Sequence, residues 1–348
     1  MSDSAAFTLE GPAIRMRSIP FINRRELVRA GALGLLVGAR GAARAGAETV
    51  DKVVRIIVGF PAGGGTDIAA RVLAQALTGR YAANIVVEDK PGAGARLAAE
   101  YVKNAPADGS VMLFTPEFPL TLYPYSFKSL KYDPVKDFIA VAPAAKGVLT
   151  FVVGPAVPAT VKTLADFVGW CKANPAKANF ATTSAGGTPH FTGVMFAREA
   201  GITLTPVHYH GGAPAMEDLL GGHVPASVNP VSEVIASVKA GAIRALAVSG
   251  AQRSPFLPDV PTMKEQGYDV VVESLSGAFL PAKTPANIVE ALSAAMREAA
   301  RSKLMIDSLA KFGTEPTYMP PAEFAAWIRA RLAQWGPVVK ASGFVATE

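Results

Sequence analysis

Three things are scarce in this chain, and each scarcity excludes something. Cysteine is down to one residue, Cys171, so no internal disulfide can staple the fold. That thiol falls in a stretch patterned as a helix, Leu164 to Ala173, and reads as a packed helix residue, not as a nucleophile. Long apolar runs are missing: nowhere do about 18 uninterrupted apolar residues occur, so no transmembrane helix is expected. Net positive charge is scarce outside the first 47 residues. Those residues hold seven arginines against Asp3, Glu10 and Glu26, a net of +4 out of +6 for the chain, which leaves +2 for the rest. A surplus confined to one end does not argue for nucleic acid.

The basic end has its own order. Asn23-Arg24-Arg25-Glu26-Leu27-Val28-Arg29 precedes a mildly apolar run, Ala30 to Ala39, and then Ala43-Arg44-Ala45 and Ala45-Gly46-Ala47 offer small-x-small patterns. Charge, apolar run and small residues in that order make an export signal, and paired arginines before a weakly hydrophobic run look like the twin-arginine kind. Residues 1–47 are therefore expected to be a cleaved export signal, with Met16 a second possible start. The destination is the periplasm.

Beyond it the chain has about 300 residues, enough for two domains. Short Val/Ile-rich runs alternate with helical spacing from residue 53 onward, which points to an α/β protein with mostly parallel sheets. Val53 to Gly59 reads as a buried strand, and Ile68, Val72, Leu73 and Leu77 mark a helix. Between them lies Phe60-Pro61-Ala62-Gly63-Gly64-Gly65-Thr66-Asp67. Glycines at a strand end let a ligand approach the backbone, Thr66 or Asp67 suits the helix N-cap, and the free N–H groups of a helix start form an anion site. No Lys follows as in a phosphate loop, and Ile68 stands where a dinucleotide loop needs glycine, so a small carboxylate fits best. The same loop could equally be a tight turn that binds nothing.

A second such loop follows the strand Asn179 to Thr182: Thr183-Ser184-Ala185-Gly186-Gly187-Thr188-Pro189-His190, opening a helix. Ligands in these sheets sit beyond the carboxyl ends of strands, a rule that also draws in loops 90–95 and 115–120. Other chemistries find less support. His208-x-His210 on a strand would turn both rings to one face, but no third ligand sits at convincing spacing with them, His190 or His223. Ser184 lies in no G-x-S-x-G elbow. Asp67 and Glu117 could pair as acid and base, although Asp67 reads as a helix cap and Glu117 as a rim residue.

The ordered set Phe60–Asp67, Lys90-Pro91-Gly92-Ala93-Gly94, Tyr132-Asp133-Pro134-Val135-Lys136-Asp137-Phe138, Gly211-Gly212-Ala213-Pro214-Ala215 with Leu219-Leu220-Gly221-Gly222, Arg253-Ser254-Pro255, and Leu257-Pro258-Asp259-Val260-Pro261-Thr262 resembles the Bug-type (TctC-like) extracytoplasmic solute receptors of tripartite tricarboxylate transport systems. The resemblance implies a two-lobed periplasmic-binding-protein fold of type II kind, each lobe a mostly parallel sheet flanked by helices, with the ligand cleft between lobes. It places residues 48–148 plus 275–348 in the first lobe and 149–274 in the second, with hinge crossovers near 147 and 275. It implies a receptor and not an enzyme, without cofactor or metal, binding a small carboxylate and working as a monomer with the membrane subunits of a transporter or with a sensor protein. The expected ligand contacts are Phe60, Pro61, Ala62, Gly63, Gly64, Gly65, Thr66 and Asp67 from one loop, Ser184, Ala185, Gly186, Gly187, Thr188 and His190 from the other, and Asn229 for the ligand's far end. The chain departs from the family at His208-Tyr209-His210-Gly211, at Pro225, at Asn229 and in Ser274-Leu275-Ser276-Gly277. An exported α/β hydrolase or lyase acting on a small acid is the enzyme alternative.

Overall fold

The computed structural model describes residues 50–346; the expected export signal over residues 1–47 lies outside the described residues. Strand β1 (Val54–Val58) shows how the first sheet is built. Val54, Ile56 and Val58 pack into one core and Ile57 into another, so a short apolar run buries both faces of its strand. Helix α1 (Gly65–Leu77) covers the first face, together with α7 (Ala286–Ala300) and α8 (Lys303–Ala310). Helix α2 (Arg96–Lys103) and the first half of α9 (Pro321–Ser342) cover the second.

Strand β1 lies between β2 (Ile85–Asp89) and β3 (Val111–Pro116), parallel to both. The next partner is β9 (Glu273–Pro281), antiparallel to β3. It pairs in turn, again antiparallel, with β4 (Phe138–Val153), sixteen residues long. Residues 138–148 of β4 belong to the first sheet, and residues 149–153 pair with β7 (Ala226–Pro230) and, over 150–153, with β8 (Arg244–Val248) in the second. The second sheet continues in parallel through β5 (Asn179–Thr182) to β6 (Thr205–His208), and the two-residue β10 (Glu315–Pro316) pairs with β4. Among the described residues the strand order is therefore β2-β1-β3-β9-β4-β7-β5-β6, with β8 and β10 also on β4. Helices α3 (Leu164–Ala173) and α4 (Thr188–Glu199) build the core on one side of the second sheet, α5 (Gly212–Leu220) and α6 (Val231–Lys239) on the other.

Two expectations need correction. Parallel pairing holds only in the outer strands of each sheet, because β4, which runs through both sheets, and β9 beside it are antiparallel to their neighbours. A strand was expected only from Val148 onward, yet β4 begins at Phe138. Its first half is alanine-rich, carries Pro143 and breaks register at Ala140/Ala142 and Pro143/Ala145, which hides the strand from any β-propensity pattern. Several motifs of the ordered set act as turns. Asp133 accepts hydrogen bonds from the N–H groups of Val135 and Lys136, and Glu265 joins the Thr262 N–H (2.7 Å) to Arg253.

Candidate functional site

A cleft opens where the carboxyl ends of strands from both sheets meet, with about 950 Å³ of empty space, part of it open to solvent. Three helix starts end on its wall: Gly64, Gly65 and Thr66 at α1, Gly212 and Ala213 at α5, and Pro230 to Glu233 at α6. Their N-cap residues are Gly64, Gly211 and Pro230, and none carries a capping side chain. None of these starts is therefore capped by its own N-cap side chain, and the Gly65 N–H bonds the Glu233 carboxyl across from α6. Each start acts like about half a positive charge, worth roughly 0.3–1 kcal/mol to a nearby anion. Phe60, Pro61 and Phe118 supply apolar wall.

The first expected loop is thus largely at the cleft: Phe60, Pro61, Ala62, Gly64, Gly65 and Thr66 line it. Gly63 and Asp67 do not. Gly63 turns the chain with φ +80°, and its N–H donates to Asp67 Oδ2 at 2.8 Å, while Asp67 Oδ1 pairs with Arg71 at 2.7 Å. Both groups are spent on holding the turn. The helix cap is Gly64, not Thr66 or Asp67, because Asp67 reaches backward from the third helical position and the helix begins three residues before Ile68.

The second loop reaches the cleft only through its ends, Thr183 and Pro189. Ser184, Ala185, Gly186, Gly187 and Thr188 are not among the residues that line it. Gly186 lies against Ser126 and Phe344, and Gly187 against Ser184 and Phe118. Thr188 donates its hydroxyl to Glu117 Oε1 at 2.8 Å. His190 is buried, stacks on Phe191, and its Nδ1 accepts the Gly186 N–H at 3.1 Å. Burial and the neighbouring His208 push its pKa down to about 3, so the ring is neutral. Asn229 is buried within β7, its Oδ1 accepting from Ser227 Oγ at 3.2 Å. Loop 90–95 also misses the cleft: β2 is the edge strand, and Gly94 rests on the Tyr123 hydroxyl instead.

Glu117 is not a rim residue. It is 1% exposed and accepts from Thr188, from Ser274 Oγ (3.1 Å) and from the Leu275 N–H (3.2 Å). Cys171 is buried in the second core, which pushes its thiol up to about 11 and leaves it unreactive. Among the described residues no group of three or more His, Cys, Asp or Glu is placed to hold a metal ion.

The family model of the tripartite tricarboxylate transporter family receptor matches residues 69–344. The chain belongs to this family. A curated relative, protein BugT of Bordetella pertussis, is 30% identical over 315 residues, covering 89% of this chain and 96% of that one. Among solved structures, R. palustris Rpa4515 with adipate is 28% identical with a TM-score of 0.80, covering 84% of this chain and 98% of its own. MatC of Rhodopseudomonas palustris with bound malate is 26% identical with a TM-score of 0.76, covering 82% and 98%. The periplasmic binding protein BugD has the same fold, with a TM-score of 0.79 at 28% identity. The two-lobed fold expected for a receptor of this family is the one observed.

Sequence reasoning missed both charged groups in this receptor's cleft, Lys146 and the more buried Glu233. Glu233, in the first turn of α6, lines the wall with Ser232. Burial pushes its carboxyl up to about 7, against a smaller opposing hydrogen bond from the Gly65 N–H. The signal was available: Pro230 ends a strand and a helix starts at once, so the rule that drew in the other loops applied here too.

Proposed function

We propose that this protein is an exported periplasmic receptor that captures a small carboxylate-bearing metabolite between its two lobes and delivers it, as a monomer, to a tripartite tricarboxylate-type transporter. The observation that carries the reading is the convergence on one cleft of three helix starts whose N-cap residues carry no capping side chain. Such a cleft offers backbone donors and positive dipole ends without a dedicated arginine. A hydrogen bond to a charged group contributes about 1.5–3 kcal/mol, so a few of them suffice for micromolar binding after ordering costs. Relatives solved with adipate and malate support an organic acid as ligand. The lobes are residues 48–148 plus 275–348 and residues 149–274, closing about β4 near 147 and β9 near 275. Binding involves no chemistry, so no cofactor takes part.

A thermal-shift screen of the exported chain against small carboxylates and their neutral amides tests this. An acid at about 100 times its Kd should add about 2.7 kcal/mol to stability, and its amide should add almost none. Turnover of an ester or amide, with no shift from any acid, would favour the hydrolase reading instead.

A further inference from the structure

The helix starts account for one pole of the cleft, and the Glu233 carboxyl, which accepts the Gly65 N–H, still has one oxygen that they leave unexplained. This side chain fills the space over Gly212, where even a single added carbon would collide with both carboxyl oxygens. Its Oε2 is buried, and no hydrogen bond reaches it. Leaving a buried acceptor unpaired is costly, and proteins keep such groups where a partner arrives from outside. Nothing on the wall supplies that partner. From α1 the carboxyl faces Gly65, from α5 it faces Gly212, and on its own helix Ser232 precedes it. The other charged side chain of the wall, Lys146 on β4, is exposed and paired with Glu315 at 3.6 Å. The cleft thus has backbone donors that suit an anion and one carboxyl that suits a cationic donor.

We propose that Glu233 is a specificity residue that receives a cationic nitrogen of the ligand, so that this receptor takes amino-carboxylates and rejects dicarboxylates. The inference rests on the receptor reading above. An ammonium group against Glu233 gains a charge-assisted hydrogen bond. A second ligand carboxylate in that place meets like charge, or one of the two must take up a proton. The relatives solved with adipate and malate therefore share the fold without setting the ligand class.

Titration calorimetry on matched probes tests it: β-alanine, 4-aminobutyrate and 5-aminovalerate, each beside the dicarboxylate (malonate, succinate, glutarate) and the plain acid (propionate, butyrate, valerate) of the same length. At least one amino acid should bind about tenfold more tightly than both of its counterparts. Glu233→Gln should lose that advantage and admit the dicarboxylate. In the wild-type protein, amino-acid binding should tighten about tenfold between pH 6 and pH 8 as the carboxyl ionises. That arm stands even if the variant does not fold. A dicarboxylate that binds the wild type best, or binding that tightens towards acid, overturns the proposal. Plain acids that bind as well as the amino acids sink this inference and leave the receptor reading standing. Binding by none of the probes overturns this inference and leaves the receptor reading to the wider thermal-shift screen.

Discussion

Glu233 and His190 are titratable groups in surroundings that disfavour charge, and pH should read them separately. The Glu233 carboxyl titrates near 7 in the fold against an ordinary 4.5. Stability tied to its protonated form is whole below pH 4.5 and is lost as pH rises through 7. In the unliganded protein, Glu233→Gln should flatten the stability profile across that window and leave the protein roughly 2–3 kcal/mol more stable at pH 8, measured by urea unfolding. A variant as pH-sensitive as the wild type would show that the carboxyl is not held in this way. His190 has the opposite sign. Its folded pKa is depressed to about 3, so its contribution is whole above pH 6.5 and is lost as pH falls below that value. Its Nδ1 accepts the Gly186 N–H, and asparagine can keep an acceptor there. His190→Asn should cost about 1–2 kcal/mol at pH 8 through lost ring packing and should remove much of the acid sensitivity between pH 6.5 and pH 4.

At the scale of elements, the start of helix α1 decides what the cleft can hold. Gly63 needs its positive φ, but Gly64 sits at φ −73°, where a side chain is tolerated, and an added Cβ meets only the Pro61 carbonyl at 3.3 Å. Gly64→Val should therefore leave the unliganded melting temperature within a few degrees while abolishing the ligand-induced shift. Gly65 is different: an added Cβ lies 2.5 Å from Ser232 Oγ, in the adjoining first turn of α6. Much of this element was legible from its residues, since an apolar run, glycines and an amphipathic run can hardly be anything but strand, turn and helix. The cap was not, because Asp67 reaches back to Gly63 only once the turn exists.

For the whole molecule, the contact to test is Glu117. From the end of β3 it accepts bonds from Thr188 at the start of α4 and from Ser274 and Leu275 on β9, tying the second sheet's helix to a strand that serves the first. Glu117→Ala would leave three donors without an acceptor, two of them buried. Global stability should fall by roughly 2–4 kcal/mol, seen as a lower midpoint in urea unfolding, whereas a substitution at a true rim residue would stay within about 0.5 kcal/mol.

By itself the sequence determined the alternating α/β plan, the glycine loops at strand ends, the inert single cysteine and the family, because each is written in local spacing or in an ordered series of motifs. Tertiary structure alone decided which of those loops meet. Ser184 to Thr188 matched the first loop in composition, yet they turn inward to satisfy Glu117 and to pack on Phe118 and Phe344. Glu233, a single acid on an ordinary amphipathic helix, became the charged centre of the cleft because three helix starts from distant parts of the chain converge on it. The physical reason is the same in both cases: local pattern fixes which backbone donors a segment can offer, but long-range packing chooses their acceptors, and no periodicity in the chain records that choice.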